Sequence, residues 1–465
     1  MPRVILIEFN ELCPQLLDTW MTAGLLPNFK RFYDRSEIFI TQADESDPVN
    51  LEPWIQWYSI HTGLPYQQHQ VFHLTDGPRA GHPDIWSILH ENGKRVWNCA
   101  GMNARGFSYS GSAFLSDPWC TTERAHPPEL ETFQRFVAHH VQEHASPDSA
   151  LGLGDNARFA AFMATHGLRL PTASAFARQL SSEVATSGSS KWKRVTLLDK
   201  LQFDVFRHYF RRLQPDFASF FVNSTAHLQH AYWRHMQPEM FTVLPSSEEL
   251  NKYRDAILFG YQEMDWLIGE FLTLAEPDVQ LIFATALSQQ PYTKYEGIGG
   301  HNFYRPRSIS DLLAKLEITP DQVLPVMTHQ FLLHFSSEAE AAVAKERLSR
   351  LLLDQVPVFG FDESEPGTLY FGNHIHTLVP PDKTVEIADN SGRSIGYYDL
   401  FHRIEDMKSG RHHPDGCLWV GPGKHQRHTE KVSILDILPT ILDLFDLPVT
   451  EYAGRPLLSP KVLVH

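Results

Sequence analysis

Four short apolar runs constrain the fold of this chain more than any other feature. Val4–Ile7, Arg95–Ala100, Phe217–Val222 and Val279–Ala284 have strand length, and each of the last three follows a stretch of helical periodicity. Runs that stay apolar instead of alternating belong to strands covered on both faces. The repeated helix-then-strand unit therefore predicts an α/β chain with a largely parallel sheet between two helical layers. After the first run, Leu12-Cys13-Pro14 and an amphipathic stretch ending at Gly24 read as a loop and a helix.

Two segments depart from this grammar. From 121 to 194 the strand signals fade, and helical patches such as Leu130–His144 alternate with Gly/Ser/Pro turns, which predicts a helical insertion. In 320–400, a strand pattern at Gln330–His334, a helix pattern at Ser337–Leu353 and turn-rich β pattern to Tyr398 predict a small α+β insertion. The core is then made of 1–120, 195–319 and 401–465. No internal repeat or coiled-coil heptad run is present.

The 465 residues are 42% apolar and 20% charged, the composition of a folded chain, and 40 Lys+Arg against 55 Asp+Glu leave a net charge of −15. An acidic balance argues against nucleic acid as the main partner. Cys13, Cys99, Cys120 and Cys417 are far apart and form no C-x-x-C pair, so neither a zinc knuckle nor a disulfide framework is expected. The first apolar run is cut at once by Glu8 and does not form a signal h-region, and no stretch approaches the ~18 apolar residues of a membrane span. A soluble, cytoplasmic protein is the expectation. Twenty-five histidines supply groups suited to metal, proton or anion chemistry.

Several segments, in order, resemble the alkaline phosphatase superfamily, which includes nucleotide pyrophosphatase/phosphodiesterases, sulfatases and cofactor-independent phosphoglycerate mutases. Ser433–Leu442 with Leu447-Pro448 and Gly454-Arg455-Pro456-Leu457 resembles its C-terminal signature. Leu6–Leu12 and Leu26-Pro27-Asn28-Phe29 resemble its first strand and helix, and Trp57–Gly63 with His69 resembles the segment after its nucleophile. The resemblance implies a three-layer αβα core. In that family two divalent metals, held by Asp and His, activate a Thr or Ser nucleophile.

Carried over residue by residue, the resemblance implies a site that has lost most of its charge. The aspartate ending the first strand falls on Asn10, and the nucleophile on Pro53 or Glu52. The D-x-x-x-H pair falls on Ala226 and His230, the S-D-H-G motif on Ser288-Gln289-Gln290-Pro291, and the last histidine on His412, followed by His413. Amides are poor ligands for a dication compared with carboxylates. A two-metal centre is therefore not expected, no cofactor is assigned, and a single divalent metal stays open.

The candidate catalytic residues are Glu52, His230 and His412. Glu52 reads either as an acid/base, nucleophile or lone metal ligand or as a helix cap before Pro53. Asn10, Glu8, Trp54, Gln56, Trp57, His227, Gln289, Gln290, His301, Arg305 and His413 are candidate substrate-binding residues. For them the alternatives are a hydrogen-bonded polar plug in the old metal cavity, core packing of the tryptophans, and, for Glu8, either one vertex of a mononuclear metal site with Glu52 and His230 or pairing with a buried histidine. Arg305 suits an anionic group. Three functions follow: a transferase or hydrolase for a phosphorylated, sulfated or glycosyl substrate without the usual two-metal site, a non-catalytic binding protein on a phosphatase-like core, or a metal-dependent hydrolase with rebuilt ligands. The expected partner is a small anionic or sugar-containing ligand.

Overall fold

The computed structural model describes residues 3–48, 50–120, 122–142, 152–275, 278–325, 330–362, 366–388, 392–404 and 407–458. Its centre is a sheet of nine strands among the described residues. The strands used below are β1 (Arg3–Phe9), β2 (Glu37–Gln42), β3 (Val96–Cys99), β4 (Ala113–Leu115), β5 (Phe217–Val222), β6 (Val279–Ala284) and β7 (Asp415–Gly421). They lie in the order β2-β7-β6-β1-β5-β3-β4. β6, β1, β5, β3 and β4 are mutually parallel, and β7 runs antiparallel between β6 and β2. All four apolar runs of the sequence are thus parallel strands.

Alternation along β1 divides the core. Ile5, Ile7 and Phe9 enter one apolar layer, whose helices include α2 (Leu197–Leu213), α3 (Ser224–Met236) and α4 (Ala256–Leu274). Val4 and Leu6 enter the other, beneath α1 (Pro53–Thr62) and α5 (Ile437–Leu444). The result is a three-layer αβα, alkaline-phosphatase-like core with insertions.

The described part of 121–194 is helical, with helices Glu131–Gln142, Leu153–Thr165 and Leu170–Ala185; residues 143–144 of the expected Leu130–His144 helix lie outside the described residues. In the second departure a third apolar cluster reaches from Tyr304 to Phe401. It carries two four-stranded sheets and the helix Glu338–Ser349. That helix is shorter than the Ser337–Leu353 pattern. Ser337 caps it by accepting from Glu340 N–H, and Leu351–Leu353 leaves it to pair with Thr384–Ile387, because three consecutive leucines bury better in a two-sided strand than around a helix end.

The loop after β4 buries Asp117, whose Oδ1 accepts from Trp119 N–H at 2.7 Å. Burial pushes its carboxyl up to about 7, against that hydrogen bond. Between about pH 4 and pH 7 the folded chain therefore holds a proton that the unfolded chain has released, and stability falls as pH rises. Asp117→Asn removes this slope. The variant is expected to be about 2–3 kcal/mol better relative to the parent at pH 8 than at pH 5, read from denaturant midpoints at the two pH values. An equal difference at both would show that Asp117 is ionised in the fold throughout.

Candidate metal and catalytic site

The carboxyl ends of β1 and β5 are adjacent, so the residues just past them, Asn10, Glu11 and Asn223, meet at one end of the sheet. A ribbon formed by Ser288–Pro291 and Gly410–His413 lies across this end and sets Gln289 opposite His412. The ribbon packs closely on α3: Ser409 N–H donates to His230 carbonyl oxygen at 2.7 Å. A Cβ at Gly410 would come within 2.4 Å of both Gln229 carbonyl oxygen and Gln289 Oε1. Only glycine permits that approach.

Glu11 is the centre of the arrangement. Its Oε2 lies 3.2 Å from His230 Nε2 and 3.6 Å from His412 Nε2, and accepts from Gln289 Nε2. Glu11 is 2% exposed, His412 13%, His230 25% and Glu52 28%, so a ligand reaches the site along the histidine and Glu52 side. Burial alone would raise the Glu11 carboxyl, but His412, His230 and the hydrogen bonds from His230 and Gln289 hold it down at about 2. Burial lowers His412 to about 4, with His230 and Lys408 adding to the effect and Glu11 opposing it.

The protons on the histidines follow from their outer partners. His230 Nδ1 is 2.9 Å from the Gly410 carbonyl oxygen, which only accepts, so Nδ1 carries hydrogen and donates. In a neutral ring Nε2 then turns a lone pair toward the Glu11 carboxylate. A second proton on the ring or a cation between the two atoms relieves this. On its outer side His412 Nδ1 lies 3.6 Å from Glu52 Oε2. Imidazoles tethered at one nitrogen, with the other aimed at a carboxylate, are the usual arrangement of metal-ligating histidines.

Glu11, His230 and His412 place one donor atom each within 4.8 Å of one another. Two atoms bound to one tetrahedral zinc lie roughly 3.3–3.5 Å apart, close to the 3.2 and 3.6 Å found here. The donor set fits one divalent ion. No second group of donors of this kind is found among the described residues. Asn10 spends both N–H groups on Glu11 Oε1 (2.8 Å) and Asn223 Oδ1 (2.7 Å), and its Oδ1 accepts from Trp57 Nε1 (2.8 Å). Gln289 donates to Glu11 and to Ala226 carbonyl oxygen (3.0 Å). The amides of Asn10 and Gln289 are thus engaged around the Glu11 carboxylate. Glu11 Oε2 and the Ala226 carbonyl oxygen accept from the same Gln289 Nε2.

Glu52 stands at the N-cap of α1, but its side chain makes no capping bond. Its Oε2 lies 3.6 Å from His412 Nδ1, on the side of the ring away from Glu11. Burial, with Glu11 adding and Lys408 opposing, pushes its carboxyl up to about 8. Lys408 and Tyr370, which both interact electrostatically with Glu52, join the site from segments that sequence patterns did not mark.

The remaining candidates lie apart from the three donor atoms or serve neighbouring backbone. Glu8 is fully buried, its Oε1 2.6 Å from His61 Nε2. Trp57 is in the core against Phe221, and Trp54 donates to Phe72 carbonyl oxygen. Gln56 accepts from Asp44 N–H and donates to Asn50 carbonyl oxygen. Gln290 donates to His412 carbonyl oxygen, and His413 accepts from Asp415 N–H. His227 is on the exposed side of α3. His301 pairs with His376 at 3.2 Å, although its backbone bridges to Lys408 beside the site. Arg305 is buried over Phe331 in the insertion.

No helix among the described residues is long and apolar enough to cross a membrane. No family model and no curated protein matches the chain. Among solved structures it is similar to phosphonoacetate hydrolase from Sinorhizobium meliloti 1021 in complex with phosphonoacetate, with a TM-score of 0.43 and 13% identity over 94% of each chain. It is also similar to murine ectonucleotide pyrophosphatase/phosphodiesterase 5, solved in an inactive form with AMP, with a TM-score of 0.40 and 10% identity over 98% of this chain and 97% of that one. The mostly parallel sheet between two helical layers is an alkaline-phosphatase-like αβα core.

Proposed function

We propose that the protein is a hydrolase or transferase for a small phosphate or sulfate ester, using one divalent ion at Glu11, His230 and His412 where the family uses two. The observation that carries this reading is the convergence of Glu11 Oε2 with two imidazole Nε2 atoms, the His230 ring being anchored from outside by the Gly410 carbonyl oxygen. A divalent ion bound there supplies a Lewis acid and lowers the pKa of a bound water. The chain's own groups do the rest. Glu11 neutralises charge from the closed side, and His230 and His412 face the open side. Glu52, at the rim, is placed to hold or move a proton at its Oε2. Lys408, half-buried at the same rim, offers an ammonium to an anionic oxygen.

The experiment is metal analysis of protein purified without chelator, with turnover of nitrophenyl phosphate, bis(nitrophenyl) phosphate and nitrophenyl sulfate. One equivalent per chain is expected, with chelator abolishing turnover of at least one ester. Two equivalents, or none after exposure to zinc, manganese and cobalt, would overturn the reading. Lys408→Ala should raise KM for the accepted ester about 10–100-fold, the worth of one charged hydrogen bond, and leave ion content unchanged. An unaltered KM would remove Lys408 from the site.

A further inference from the structure

Resting on the reading of Glu11 as a metal ligand, we infer that Trp57 and Tyr261, two fully buried aromatic residues, are positioning residues that set the geometry of Glu11 from opposite sides of the sheet. Glu11 adopts φ +63°, a left-handed conformation unfavourable for a side chain of its size. Such a conformation persists only when its surroundings over-determine it.

Two hydrogen-bonded struts do so. The first acts on the side chain. From α1, Trp57 Nε1 donates to Asn10 Oδ1 at 2.8 Å, and Asn10 Nδ2 donates to Glu11 Oε1 at 2.8 Å. Trp57 fixes which way the Asn10 amide faces, so that a donor and not an acceptor meets the carboxylate. Oε2 is thereby the oxygen left for the histidines. The second strut acts on the main chain. Tyr261 on α4 donates from its hydroxyl to Gln229 Oε1 at 2.8 Å, and Gln229 Nε2 donates to Glu11 carbonyl oxygen at 2.8 Å. The same hydroxyl accepts from Cys13 N–H at 2.6 Å, tying down the turn two residues beyond Glu11. Close packing of α4 on α3 makes this reach possible, since a Cβ at Gly260 would come within 2.8 Å of Leu228 Cδ1.

Asn10 is accordingly a strut and not a substrate contact: both of its N–H groups and its oxygen are engaged within the protein. Tryptophan and tyrosine are needed at 57 and 261 for one polar atom each, because phenylalanine would fill much of the same apolar space.

Trp57→Phe and Tyr261→Phe each delete one strut at its root. Cobalt(II) is the probe, because its visible absorption reports ligand geometry and competition with a chromophoric chelator gives its affinity. Each variant is expected to bind cobalt about 10–100-fold more weakly, the usual cost of losing an outer partner of a ligand, with a changed visible spectrum. Circular dichroism at the titration temperature establishes that the variants are folded; should one not fold, the other strut carries the test alone. Glu11→Gln, measured beside them, separates the two ideas. If it binds cobalt like the parent, the metal reading fails. If it loses cobalt while folded Trp57→Phe and Tyr261→Phe keep the parent affinity and spectrum, the metal reading stands and the struts are merely structural.

Discussion

Glu11→Gln is expected to reduce divalent-ion affinity far beyond the ~100-fold that loss of an outer partner costs, and to abolish turnover with it. The amide removes the one carboxylate among the three donors, leaving a dication in a buried crevice with no compensating charge. It also reverses one hydrogen bond. Glu11 accepts from Asn10 at Oε1 and from Gln289 at Oε2, so whichever way the new amide turns, one of its N–H groups faces another donor. Isothermal titration with zinc and manganese measures the first effect, and ester turnover the second. A variant that retained affinity within tenfold of the parent would show that the carboxylate is a counter-ion for the histidines and not a ligand.

The fold was largely legible from the chain because buried parallel strands announce themselves as unbroken apolar runs. β5 and β6 fall on Phe217–Val222 and Val279–Ala284 as read. The site was less legible, for a stated physical reason. His230 and His412 sit in segments that carry the resemblance, and the structure sets them with ring centroids 5.2 Å apart. Glu11, one residue after the aligned Asn10, was missed. Strict alternation from β1 sends it to the face opposite Glu8 and Asn10. The positive φ at Glu11 breaks that alternation and returns the carboxylate to the crevice. Nothing in residue type signals such a turn, since glycine or asparagine is its usual mark. Lys408 and Tyr370 come from segments whose approach to Glu52 depends on how the ribbon and the insertion pack. Among the candidate site residues, the amides at 10 and 289 are spent on holding the Glu11 carboxylate.

The largest stability effect is expected one turn of strand below the site. Glu8 and His61 pair at 2.6 Å with side chains 0% and 2% exposed, and Glu8 Oε2 and His61 Nδ1 have no polar partner. His61 lies between Trp57 and Trp86, so neither water nor a second polar side chain replaces a lost partner. Glu8→Leu leaves an imidazole buried without an acceptor, and His61→Leu leaves a carboxylate buried without a donor. Each single change should cost about 3–5 kcal/mol. The double change removes both polar groups and fills the space with apolar atoms, so it should cost less than either single change. Denaturant midpoints of the four proteins close the cycle. Costs that simply add would mean the two groups do not depend on each other in the folded state. A double variant better than both singles would establish the pair as coupled. It would also show that Glu8, fully buried on the strand that leads to Asn10 and Glu11, serves the layer beneath the crevice.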